Sequence, residues 1–301
     1  MTHGRISHFP LIPAMTWLAW VPLIAGPALV LMLVPTGWSG WALMWTLAIA
    51  LVLGCKWLSW YSIAATNVPA WKHLAYFFLW PGLDATSFLA ECARSSRPYP
   101  IEWLTAIARI ASGAALLFGV ARMIPPQHVY IVGWTGMIGL VLMLHFGIFH
   151  LLSCWWRRVG VEVRPLMNRP LASTSLSEFW GRRWNTAFRD LTHRFLFRPF
   201  TACFGPRSGM LAGFIFSGAV HDLVISVPAR GGFGGPTIFF AIQGAAMMIE
   251  RSRFGRRIGL GSGSSGRVFT ILALTLPVGL LFHRPFVERI IVPFMRTLGA
   301  L

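Results

Sequence analysis

"MLAGFIFSGAVHDLVISV", residues 210–227, is an apolar run of membrane-crossing length that carries a histidine and an aspartate side by side at 221 and 222. A span takes about 20 apolar residues. An ionisable group at that depth costs from about 2.5 kcal/mol upward, so His221 and Asp222 call for a function or a specific partner. The rest of the chain agrees with the membrane reading. Of 301 residues, 55% are hydrophobic and 12% charged, against about 25% charged in a water-soluble domain. Spans are expected near 11–34, 40–60, 101–123, 128–156, 208–228, 234–250 and 268–283, and two broken apolar stretches, 70–90 and 286–301, raise the count from seven toward nine. The fold class is therefore an all-α polytopic membrane protein of about seven to nine transmembrane helices, with 1–301 forming a single membrane domain. The opening MTHGRISHF lacks a small-residue cleavage signal and reads as the front of a retained first span.

The formal net charge is +17, from 26 Lys and Arg against 9 Asp and Glu. Such a balance also suits nucleic acid, but here the arginines gather in two loops between spans. Ten fall between 157 and 207 against Glu162, Glu178 and Asp190, and five between 250 and 267 against one acid. That bias marks cytoplasmic loops. It places 157–207 in the cytoplasm, the protein in the cell's inner (plasma) membrane, and lipid head groups rather than nucleic acid among its partners. His221 then lies roughly 10 Å from the far end of its span, at 1.5 Å per residue. Cysteines 55, 92, 154 and 203 are scattered, so neither a disulfide framework nor a metal site follows from them. GSGSSG (261–266) matches the dinucleotide fingerprint, yet charge precedes it and a span follows, where the fingerprint needs a strand before it and a helix opening after. It reads as a flexible turn. Nothing in the sequence fixes an oligomeric state.

Between the spans, SEFWGRRWNTAFRDLTHRFLFRPF (177–200) spaces Trp180, Trp184, Phe188, Leu191 and Phe195 by four, four, three and four, one apolar stripe on a helix. Arginines 182, 183, 189, 194 and 198 take the other faces, and Ser175 with Glu178 fits a capping box. The expectation is an amphipathic or re-entrant helix at the cytoplasmic interface, its stripe in the lipid. Asn185 stands near the margin of the stripe, where solubility has no need of an amide. His193 reads as solvated or lipid-facing, His283 as a span terminus. His145 and His150, five apart, do not share a face and read as packing residues.

Three motifs in fixed order carry a resemblance: "SLSEFWGRRWN" (175–185), "FSGAVHDL" (216–223) and "PTIFFAIQGAAMMIE" (236–250), with "RPLMNRPLASTSL" (164–176) before them. Residues 140–255 resemble the wax synthase-like branch of the membrane-bound O-acyltransferase (MBOAT) superfamily. The first third adds only hydrophobicity and "WPGLD" (80–84). The resemblance implies an all-helical fold pierced by a tunnel, in which acyl-CoA is co-substrate, a lipophilic long-chain alcohol is the acceptor, and no further cofactor is used. It implies His221 and Asn185 as the active-site pair, with Trp184 beside them. Arg182 and Arg183 become candidates for the coenzyme A phosphates, and Gln243 for the tunnel lining.

The chemistry fits those residue types. Acyl transfer from thioester to hydroxyl needs a base, oxyanion stabilisation and exclusion of water. A histidine with an ordinary pKa of about 6.5 is mostly neutral near pH 7, and a placed base contributes about 10² to 10⁴ in rate. Asparagine can donate to an oxyanion without adding charge, or it can orient the imidazole. Adjacent helical residues do not share a face, so Asp222 is expected to pair with an arginine or polar group elsewhere rather than with His221. The HHxxxDG and HxxxxD signatures of other acyltransferases are absent, Ile225 and Ser226 following His221 at +4 and +5. Two rivals stand beside this reading: a transporter or flippase in which His221 and Asp222 line a polar path, and an O-acyltransferase acting on a glycan or other non-wax hydroxyl.

Overall fold

The computed structural model describes residues 17–63, 68–90 and 96–301, and every regular element among them is helical. Five helices are long and apolar enough to cross a bilayer: Gly40–Tyr61, Pro100–Met123, Val129–Arg158, Thr186–Ala229 and Gly263–Leu281. The chain is an integral membrane protein. In order, α1 is Val21–Leu33, α2 Gly40–Tyr61, α3 Ala70–Phe78, α4 Ala85–Leu89, α5 Pro100–Met123 and α6 Val129–Arg158. A short α7 (176–183) follows, then α8 (186–204) and α9 (206–229) as two arms of the Thr186–Ala229 helix. The chain finishes with α10, Gly235–Arg251, then α11, Gly263–Leu281, and α12 (284–297), helical throughout with a π turn at Val287–Ile291.

The expected spans near 11–34 and 234–250 are apolar helices of less than full length. α1 has 13 residues, and the residues ahead of it, up to 16, lie outside the described part, as does Cys92. The 17 residues of α10 reach about 26 Å, short of a hydrocarbon core of about 30 Å. The helices within 70–90, of nine and five residues, are shorter still. α3 ends at the Pro81 turn, and Lys56, 1% exposed on α2, donates from Nζ to the carbonyls of Tyr76 (2.5 Å), Trp80 (2.6 Å) and Gly82 (2.9 Å). A lysine thus satisfies the carbonyls that a helix end leaves open. Asp84 then caps α4 by accepting from the Thr86 and Ser87 amides.

The amphipathic segment departs most from expectation. It is not one helix over 177–200 but breaks at Trp184, which is extended, and Asn185, which is left-handed at φ 39°. The chain then restarts at Thr186 and runs on into the membrane span, bending at Gly205 (φ 83°) ahead of Pro206. Glycine adopts that φ without the penalty a Cβ brings, and a Cβ at 205 would touch nothing within 4 Å, so the requirement is purely one of backbone. The stripe does not lie in lipid. Leu191 and Phe195 are buried with Leu58, Tyr76, Phe88 and Trp156 in one core cluster. Trp180 packs on a second, which contains Phe214, Phe240 and Met247. Its apolar spacing was correct; protein, not membrane, covers it. Val224 of α9 packs against both clusters, which places α9 at their seam.

Candidate active site

The site is assembled on α7, which is held by a local cap at its start and by sequence-distant contacts to α9 and α10. Ser175 Oγ accepts the Glu178 amide (3.0 Å), while Glu178 accepts the Thr174 amide (2.8 Å), a capping box displaced by one residue. The Thr174 N–H, together with the Arg183 guanidinium, holds the Glu178 carboxyl below its ordinary range. Glu250, 3% exposed at the end of α10, accepts the amides of Leu176 (2.5 Å) and Ser177 (3.1 Å); a carboxylate suits the positive end of a helix. One turn on, Trp180 packs edge-on to Phe214 and tilted on Phe240. Its Nε1–H donates to Gln243 Oε1 at 3.4 Å. The first motif is therefore held by the third.

The break after α7 gives Asn185 its orientation. Its Oδ1 accepts the Phe188 amide at 3.2 Å, capping α8. Since the oxygen must face that N–H, the NH₂ end, with two donors, remains for another partner. Asparagine is among the few residues that accept the left-handed conformation at modest cost.

His221 is oriented by the helix it stands on. Its Nδ1 lies 2.6 Å from the Ser217 carbonyl, which can only accept, so Nδ1 carries the hydrogen and Nε2 the free lone pair of the neutral ring. The Phe240 ring lies 4.6 Å from the imidazole, centre to centre.

His221, Asn185 and Trp184 meet on the wall of one cavity of about 400 Å³. Met210, Gly213, Phe214, Ser217 and His221 also line it. Their spacing puts them on one face of α9 over roughly 16 Å of helix. Phe188 and Phe197 of α8 and Phe240 and Met247 of α10 complete an apolar wall. A Cβ at Gly181 or Gly213 would meet nothing within 4 Å. The polar part of the wall holds Ser177, Arg189, His193 and Arg251. Arg189 donates to the Gly181 carbonyl (2.7 Å) and lies 2.8 Å from Asp190, and Arg251 donates to Ser177 Oγ (2.9 Å).

The other expected site residues stand elsewhere. Arg182 is exposed. Arg183 is drawn to Glu178 (2.6 Å) and to the carbonyls of Asn168 and Arg169. Gln243 is 0% exposed, with its amide committed at both ends: it accepts from Trp180 and donates to the Ala273 carbonyl at 2.8 Å. None of the three is on the wall. Arg189, Arg251 and Ser177 are there instead, and His193, read as solvated or lipid-facing, joins them. The signals were spacings: Arg189 stands four residues after Asn185, and Arg251 stands 11 after Phe240, three helical turns along one face of α10.

Asp222 is absent from the wall. It accepts from the Gly234 amide (2.8 Å), the Thr237 amide (3.0 Å) and hydroxyl, and Ser226 Oγ (2.8 Å). Its partners are polar groups, with no arginine among them. Elsewhere, potential ligand atoms of Glu102, His150 and Cys154 lie within 4.8 Å of one another. Arg157 stands among them, with Nη2 2.5 Å from Glu102 and 3.6 Å from Cys154, so the positive charge the cluster needs is already a guanidinium.

Comparison with known proteins falls on the same segment. Residues 163–242 match the model of the family described as "Membrane bound O-acyl transferase family". "Probable long-chain-alcohol O-fatty-acyltransferase 9" of Arabidopsis thaliana is 29% identical over 143 residues, 43% of this chain and 42% of that protein. "Long-chain-alcohol O-fatty-acyltransferase" of Simmondsia chinensis is 30% identical over 101 residues, 31% of this chain and 29% of that one. "Acyl-CoA--sterol O-acyltransferase 1" of Arabidopsis thaliana is 37% identical over 77 residues, 23% and 22% of the two chains. The chain spans about two fifths of the length of the first of these relatives.

Proposed function

We propose, from a cavity built mostly on the segment that matches the membrane bound O-acyl transferase family, that the protein transfers a fatty acyl group from acyl-CoA to a lipophilic long-chain alcohol. One observation carries this reading: His221 and Asn185 share a cavity wall, each with its polar ends sorted by a backbone partner. The Ser217 carbonyl takes the imidazole N–H and leaves a basic Nε2. The Phe188 amide takes the asparagine oxygen and leaves an NH₂ donor. The bookkeeping of the reaction closes without redox chemistry or a metal. The acceptor hydroxyl gives its proton to Nε2 as its oxygen attacks the thioester carbonyl. The Asn185 NH₂ donates to the tetrahedral oxyanion, the C–S bond breaks, and the imidazolium returns the proton to the departing thiolate.

The polar wall supports a phosphate-bearing donor, because guanidinium groups match phosphate oxygens. Arg189 and Arg251 take the part expected of Arg182 and Arg183. The apolar wall suits alkyl chains and excludes water from the thioester. The polar-path transporter has less support, since Asp222 is off the wall and both its oxygens are occupied. The test is turnover of labelled acyl-CoA by the detergent-purified protein against long-chain alcohols, a sterol and a sugar. Ester is expected with the long-chain alcohols. His221→Ala is expected to lose about 10² to 10⁴ in kcat while remaining folded; turnover equal to wild type in that variant removes His221 from catalysis and the reading with it.

A further inference from the structure

The carboxylate of Asp222 is not on the cavity wall, yet it accepts four hydrogen bonds. The first amides of a helix have no acceptor within it. At the start of α10 the capping residue is Gly234, which has no side chain to offer. Asp222 supplies the acceptors from another helix, Oδ1 to the Gly234 amide (2.8 Å) and Oδ2 to the Thr237 amide (3.0 Å) and hydroxyl. Gly218 makes the approach possible: a Cβ there would come within 2.5 Å of the Thr237 Cα.

The carboxylate is itself fixed from a third side. Ser226 Oγ donates to Oδ1 at 2.8 Å and lies 3.2 Å from His283 Nε2. His283 Nδ1 accepts the Phe286 amide, so its hydrogen sits on Nε2 and points to Ser226. α9, α10 and the start of α12 therefore converge on one carboxylate. What α10 carries from this anchor is Phe240, one turn past Thr237, whose ring bounds the His221 imidazole at 4.6 Å.

We propose that Asp222 is a positioning residue for His221: by fixing the start of α10 it fixes Phe240, which, with the Ser217 carbonyl, holds the imidazole in its working orientation. The proposal rests on the reading of His221 as the base. In the purified full chain, Asp222→Asn is expected to lower kcat about 10- to 100-fold while KM for acyl-CoA stays at the wild-type value, because Arg189 and Arg251 are untouched. Thr237→Val, which adds no charge and keeps the fold, shows the same split at smaller amplitude, and Thr237→Ser, which retains the hydroxyl, restores kcat. Variants that melt earlier but turn over at the wild-type kcat, or that raise KM alone, overturn the proposal.

A second readout stands apart from turnover. ¹⁵N spectra of the histidine ring, assigned by loss of signal in His221→Ala, are expected to show one Nδ1–H tautomer in the wild type and a mixture in Asp222→Asn. An unchanged His221 signal in Asp222→Asn overturns the positioning role even if no acceptor is ever esterified, an outcome that would count separately against the acyltransferase reading.

Discussion

The Asn185 side chain faces two ways, and the two ends have separable consequences. Its oxygen caps α8 through the Phe188 amide, and its backbone sits at φ 39°. Asn185→Asp keeps a good cap and tolerates that conformation while deleting the NH₂ donor and adding a negative charge where an oxyanion would form. The variant is expected to unfold within about 1 kcal/mol of wild type and to lose at least about 10² in kcat. Asn185→Gly, which also accepts the backbone but offers neither end, should match it in turnover. Melting temperature and kcat measured side by side decide this, and an aspartate variant with wild-type kcat refutes oxyanion donation. The motif order in the sequence pointed to this residue, and the structure puts it on the cavity wall with His221. The division of its two ends was not legible there, because it depends on a break in the helix that apolar spacing does not encode.

The same blindness operates at the scale of the element. The intervals from Trp180 to Phe195 fit one continuous helix, since periodicity records which side chains share a face and not where the backbone reverses. The chain breaks between Trp184 and Asn185 because local caps compete with the helix on both sides: Ser175 and Glu178 at the start of α7, Asn185 at the start of α8. The Glu178 cap gives a pH signature. Its folded carboxyl lies below its ordinary value, chiefly through the Thr174 amide and then Arg183. A lowered folded pKa contributes stability that is present above the unfolded value of about 4.3 and is lost as pH falls through the folded one. Melting temperature of the wild type is therefore expected to fall across the acid range below about pH 5 toward that of Glu178→Gln, which starts lower at neutral pH and varies less. Parallel curves for the two proteins would show that the cap does not depend on the charge.

At the scale of the molecule, the sequence showed the longest spans and pointed to His221 and Asn185, which share one cavity wall, but not to the arginines that share that wall with them. Arg183 found an acid on the preceding turn, and Gln243 was taken between Trp180 and α11; neither pairing is visible without the third dimension. The orientation across the membrane follows from charge and carries the last prediction. α9 runs 24 residues from Gly205 to the turn at Arg230, about 36 Å, more than a hydrocarbon core of about 30 Å. Its two ends are therefore predicted to emerge on opposite sides. By the charge bias of membrane loops, the ten arginines between 157 and 207 predict that the first end lies in the cytoplasm. Arg251, bonded to Ser177, keeps the polar part of the cavity wall at that end, the side from which the proposed acyl-CoA donor would enter. In a background with the exposed Cys203 replaced by serine, a cysteine in place of exposed Arg182 should react with an impermeant maleimide only from the cytoplasmic side, and one in place of Phe233, 68% exposed, only from the other. Reversed labelling would put the arginines outside and remove the cytoplasmic route for the donor; labelling of both from one side would mean that α9 does not cross.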